Sequence, residues 1–418
     1  MNNNGNKIKS FVVANIVPIL FLALSVVGII YSGVSLPVIF MDVIARMDRN
    51  LFLVLSLLVP VLAGMGLNFG IVLGAMTGQF GLFIITLFDI KGMTGLLVAI
   101  LISVPLSILL GWLTGILLNK TKGQEMIAGM ILGFFAMGIY QFIFLFFIGG
   151  VIPLDAPGLM LSNGIGVRNT IDISGVKYAF DNVYKINVFM FAIICAVLWA
   201  LYIIYKGIKN HKFTNKNILS LVACGGLCVI GVMGQTMPLF AQYKLLMQIP
   251  VFSFGLIVLL CIFIKFIFRT KLGQDMRATG HNMEIAEVSG INVNKVRIIA
   301  TILSMVFAGI GQIIFLQNLG NISMYNAHEN VAMFAAAALL IGGASISKAT
   351  VSQAIVGTFL FHLLFNVSPM AGKNLFGDPA IGEYFRVFIA YGVIAVTLAL
   401  HAWKQAVKKS DKERAEQE

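Results

Sequence analysis

Charge is the first thing this sequence is short of. Asp, Glu, Lys and Arg make up 11% of it and hydrophobic residues 59%, whereas soluble domains carry about 25% charged residues. That excludes an ordinary soluble globular domain and points to a polytopic membrane protein. Cysteine is scarce too. Cys195, Cys224, Cys228 and Cys261 all lie in apolar runs, where a thiol behaves as a small, buried hydrophobe. Cys224 and Cys228 share a helix face, but no neighbouring His or second pair completes a metal set, so neither a metal centre nor a disulfide framework is implied. Catalytic motifs are missing: there is no GxxxxGK[ST] phosphate loop, no HExxH and no GxSxG. No pair of acids lies inside an apolar run, as a proton- or ion-coupled carrier usually needs. The chain therefore reads as a non-enzyme without a cofactor. The net charge of +12 does not mark a nucleic-acid binder, because the Lys and Arg residues sit between apolar runs rather than on one basic face.

What is present is a series of apolar runs. The stretch 11–32 gives about 33 Å of helix, enough to span a bilayer; it lacks an A-x-A-like cleavage site and reads as a retained anchor with its N-terminus inside. Residues 41–50 form a charged interlude expected on the outer surface. In 51–88, Gly66, Gly70, Gly74 and Gly78 recur every fourth residue, a smooth stripe against which another helix backbone can close. Spans follow over 94–118, with Gly111 and Gly115 as a second small-residue pair, and over 126–148. Residues 149–185 read as an external loop with short strands around 167–176, long enough to contact a partner. Two spans at 186–205 and 218–238 flank a basic stretch. Another, over 251–268, runs into a polar segment at 269–297; further spans follow at 298–316, 331–345, 351–365 and 384–403, with a charged tail at 404–418.

That reading gives an all-α polytopic protein of about 12 transmembrane helices, one permease-like domain over 1–418, both termini inside. It places 20 of the 29 Lys and Arg residues inside, as positive-inside topology requires. The four spans from 51 to 148 and the four from 298 to 403 run in opposite senses, as an inverted repeat would.

The polar segment, RTKLGQDMRATGHNMEIAEVSGINVNKVR, cannot lie in hydrocarbon and must sit in water at the membrane edge. Local signals suggest two short helices. Gly273 opens the first and Gly280 breaks it; Asn282 caps the second, with Glu284 and Glu287 near its positive end and Gly290 at C′. Helices so short need a partner surface; a plain surface loop is the alternative.

This stretch resembles the cytoplasmic loop of bacterial ABC importer permeases of the ribose, galactoside and nucleoside type, within the branched-chain permease superfamily. The match falls on Gly273, Arg277, Ala278, Gly280, Asn282, Ala286, Ser289, Gly290, Ile291 and Asn292. The resemblance implies that these residues and Glu287 form coupling helices docked on a separate ABC ATPase subunit. It also implies an external solute-binding protein, a second permease subunit (identical or not), a sugar or nucleoside as solute, and residence in the bacterial inner membrane. It covers most of the chain but is weak over 187–248. Such permeases usually carry one span where this chain has three, so 186–238 reads as a two-helix insertion. An ion-coupled secondary transporter of a small polar solute is the alternative function.

Polar groups within the spans are mostly amides. Asn68, Gly70, Gly74, Gln79 and Gln312 are the candidates for the translocation path, since polar groups at membrane depth usually face a partner or a cavity; helix packing alone is the other reading of the glycines. Relatives often carry Asp-Leu-Ser where this chain has Leu67, Asn68 and Phe69. His328 and Glu329 stand where relatives often carry Tyr-Glu, and are the candidates for docking the binding protein; for Glu329 a helix-capping role is the alternative.

Overall fold

A computed structural model describes residues 15–154, 156–209, 215–388, 391–396 and 399. The apolar runs become helices because only intra-segment hydrogen bonds satisfy a backbone surrounded by hydrocarbon. In order these are α1 (Ile16–Ser32), α2 (Leu36–Ser56), α3 (Leu58–Leu62), α4 (Ile71–Leu87), α5 (Gly92–Lys120) and α6 (Glu125–Phe142). A hairpin follows, α7 (Val188–Lys209) and α8 (Asn215–Thr236), then α9 (Val251–Ile267), α10 (Lys271–His281), α11 (Met283–Val288), α12 (Val293–Leu319), α13 (Val331–Ile341) and α14 (Val351–Phe376). Among the described residues the last helix is α15 (Pro379–Val396). Among the described residues seven helices are long and apolar enough to cross a membrane, or eight if α9 and α10, bent by 74°, form one broken span. The sequence suggests 12. The difference lies in helices such as α1, α4 and α13, which are apolar but shorter, and in α2, which carries four charges.

The two ends of the molecule are built differently. One carries α10 and α11 and the breaks at 63–70 and 342–350. The other carries two antiparallel strand pairs: β1 (Thr170–Asp172) with β4 (Asn321–Ser323), and β2 (Lys185–Asn187) with β3 (Gln248–Pro250). A strand was expected within 167–176 and is found there; its partner, some 150 residues on, is not signalled locally.

At the centre, α12 is gripped between α4 and α5. A Cβ on Gly74 would lie 2.5 Å from the Met305 carbonyl oxygen, and one on Gly78 2.4 Å from that of Gly309. Cβ atoms on Gly111 and Gly115 would meet the Cα atoms of Ile302 and Ile298 at 2.8 and 2.9 Å. Gly74 and Gly78, with Gly111 and Gly115 opposite, are thus a packing seam in which missing side chains let backbones touch; Gly66 and Gly70 precede α4, so the expected four-residue stripe is not one helix face. Beside it Thr77, Ser103 and Ser107 share a buried hydroxyl cluster at 2.6–3.0 Å. The hairpin α7–α8 stands apart, with most of its surface exposed. Cys195, on α7, is exposed rather than packed.

One expectation fails plainly. The charged interlude 41–50 is not a surface loop but the middle of α2, with Asp48 fully buried. Asp42, Arg46 and Arg49 recur at helical spacing and share a face, while Ile39, Val43 and Met47 enter the core. Asp48 is thus an acid inside a largely apolar helix, and among the described residues neither of its oxygens has a hydrogen-bond partner.

Candidate functional site

Three caps build the polar segment. The Thr270 hydroxyl accepts from Gly273 N–H, Asn282 Oδ1 from Ile285 N–H at 3.1 Å, and Asn292 Oδ1 from Lys295 N–H at 3.0 Å. Gly290 follows the end of α11 with φ +83°, the left-handed turn that Gly makes without strain. Gly280 does not break α10, which continues to His281. Its role is approach: a Cβ there would lie 2.2 Å from the Leu62 carbonyl oxygen, and one on Gly64 would lie 2.6 Å from Gly280 Cα. Gly273 likewise packs against the backbone of Ile267. Ala286 is buried, and Ala278 is half-buried. Arg277 is exposed, its guanidinium 5.8 Å from the centre of the Phe268 ring. Outermost are Glu284, Ile285, Glu287, Val288 and Ser289. Val288 is 91% exposed and Ile285 65%, two exposed apolar side chains beside the acids Glu284 and Glu287.

Behind this tip lies an ion pair that the sequence reading passed over. Arg297, fully buried at the start of α12, donates to Glu125 at 2.6 Å and to the Leu118 carbonyl at 3.0 Å. It ties α11–α12 to the turn between α5 and α6.

At the opposite end a cavity of about 530 Å³ opens between α2, α12, the 320–330 loop, α13, α14 and α15. Arg46, Arg49 and Asn50 face it from α2, His362 and Phe365 from α14, Arg386 from α15, and Asn321, Ser323, Asn326 and Asn330 from the loop. Arg386 donates to the Phe365 carbonyl at 3.0 Å and pairs with Glu383. Arg49 Nε donates to the Ala45 carbonyl at 3.3 Å. Arg46 makes no side-chain hydrogen bond or ion pair among the described residues.

None of the five expected path residues lines this cavity. Asn68 accepts from Gly70 N–H at 3.0 Å, a turn that starts α4, and its amide lies 3.4 Å from the Ser304 hydroxyl. Gly74 is in the seam, and Gly70 precedes α4, where a Cβ would lie 2.9 Å from Asn68 Oδ1. Gln312 donates to the Ala327 carbonyl at 3.1 Å. Gln79 Oε1 lies 2.7 Å from His328 Nδ1, and His328 is fully buried beneath the Tyr140 ring. His328 is therefore out of a docking protein's reach, and burial pushes its imidazole down to about 4. Glu329 is exposed, and α13 begins without a side-chain cap bond. The cavity arginines carried a usable signal: Arg46 and Arg49 are cations at helical spacing, flanked on both sides by apolar residues.

Several known proteins are similar over part of the chain. The ribose import permease protein of Escherichia coli strain K12 is 28% identical over 158 residues, 37% of this chain and 46% of the relative. The nucleoside ABC transporter permease protein of Lactococcus lactis subsp. cremoris is 28% identical over 146 residues, 35% of this chain and 44% of the relative. The xylose transport system permease protein of Haemophilus influenzae is 29% identical over 137 residues, 32% and 34% of the two chains. The chain thus spans less than half the length of the curated relatives it matches. No solved structure matches. Residues 20–398, by contrast, match one family throughout, and the chain belongs to it: the branched-chain amino acid transport system / permease component family.

Proposed function

We propose that this chain is the transmembrane permease subunit of an ATP-binding-cassette importer, moving a sugar- or nucleoside-type solute inward. Family membership over residues 20–398 supports the class. The observation that carries the mechanism is the capped α10–α11 pair, with its acidic and apolar tip turned outward. Exposed Ile285 and Val288 flanked by Glu284 and Glu287 suit a groove on an ATPase, which hydrolyses ATP while this chain performs no chemistry. In this reading α10–α11 is cytoplasmic and both termini lie inside. The β-strand end with the 149–185 loop and Glu329 then faces the solute-binding protein, and a second permease subunit and lipid cover the apolar flanks.

The test is co-purification of tagged permease with its ATPase, followed by ATP hydrolysis stimulated by loaded binding protein. Val288→Asp and Glu287→Arg should abolish stimulation while membrane insertion and melting stay normal. Gly280→Pro should do so by lifting α10 off Leu62. Unchanged stimulation in Val288→Asp and Glu287→Arg sinks the coupling role.

A further inference from the structure

The cavity at the β-strand end is far more basic than a neutral sugar or nucleoside needs. Three arginines line it, and no acid does; Glu383, which pairs with Arg386, is not among its walls. Asp48 is buried and Asp42 exposed, and neither is among its walls. Arg46 lies ten residues into α2, about 15 Å from the end of the helix, where an ionised side chain is expensive and normally has a partner. Among the described residues it has none.

Resting on the permease reading, we propose that the solute carries negative charge: a polyhydroxylated or nucleoside-like anion whose carboxylate or phosphate is held by Arg46 and Arg49. The forked guanidinium matches either group in two-point fashion. Asn326 and Asn330 offer amide donors and acceptors to hydroxyls, and the ring of Phe334 gives an apolar wall for a sugar or base. A volume of about 530 Å³ suits a solute of that size. Arg386, already engaged by Glu383 and the Phe365 carbonyl, shapes the wall and adds to the field rather than gripping the solute.

The test uses full-length permease alone in lipid nanodiscs, so it does not depend on finding an ATPase. Thermal stabilisation is titrated with ribose 5-phosphate, D-gluconate, D-ribose, uridine and inorganic phosphate. At least one of the two organic anions should bind roughly tenfold or more tighter than D-ribose, the gain from one charged hydrogen bond; which of them does so tells phosphate from carboxylate. The preference should weaken with added salt. It should vanish in Arg46→Gln, partly return in Arg46→Lys, and survive in Arg168→Gln, whose side chain is outside the cavity. Equal binding of D-ribose, equal binding of inorganic phosphate, or an anion preference intact in Arg46→Gln overturns the proposal and leaves the permease reading standing. If Arg46→Gln does not insert, Asn330→Cys in a background without native cysteines supplies the same decision. An anionic thiosulfonate should label it several-fold faster than a cationic one, and equal rates overturn the proposal.

Discussion

Arg297 and Glu125 show what a single buried charge demands. Arg297 has no exposed surface, and Glu125 is 9% exposed. Removing one partner strands the other in a low-dielectric interior, which typically costs about 3–5 kcal/mol, whereas an apolar pair of similar volume can be neutral. Glu125→Gln should therefore lower the detergent melting temperature sharply, and Glu125→Leu with Arg297→Met should recover most of it. A melting curve for Glu125→Gln that overlays the wild type would show that the pair is solvated. His328 makes a different demand. Free histidine titrates near 6.5 and His328 near 4, because burial disfavours its charged form. Between those values the unfolded chain binds more protons than the folded one. Stability should fall as pH drops from 6.5 toward 4, and be level above 6.5 as far as this group is concerned. His328→Gln, which keeps a polar partner for Gln79, should flatten that part of the pH–melting curve. An identical slope in both proteins would assign the acid sensitivity to other groups.

Among the elements, α12 is the one most closely gripped. Gly74→Leu or Gly78→Leu would drive a side chain into the α12 backbone, and overpacking of this kind costs about 1–3 kcal/mol. Both should lower the melting temperature and abolish transport. Gly138→Leu, on α6 with nothing within 4 Å of its Cβ position, should do neither. Equal behaviour of the three would mean the seam is not closed. The elements also show how far the sequence could be read. Asn282 and Gly290 are legible because a cap and a left-handed residue act within one turn of chain. Gly280 was misread as a helix breaker because its reason, the Leu62 carbonyl, lies over two hundred residues away. The β1–β4 pairing hides for the same reason. Arg46, Arg49 and Asp48 looked like a surface loop because charge density outweighed periodicity. Their spacing was the better guide.

For the whole molecule, the α7–α8 hairpin is mostly exposed and packs chiefly on itself. Asn187 Oδ1 accepts from the Gln235 side chain at 2.6 Å, so the chain enters and leaves it at nearly one point. Replacing 188–235 with a short Gly-Ser linker removes two helices and preserves the direction of every later one. The shortened chain should insert, melt within a few degrees of the wild type and still bind the ATPase. Aggregation of it would make the hairpin part of the core. The approach of Gly280 to Leu62 reaches further than its own neighbourhood. Leu62 ends the α2–α3 rod, and Arg46 sits 16 residues back along it, about 24 Å at 1.5 Å per residue. The rod has a single joint, the turn at Leu57 between α2 and α3. If, as proposed, an ATPase moves α10, that displacement would reach the cavity wall as the stroke of a pushrod, with no loop between to absorb it.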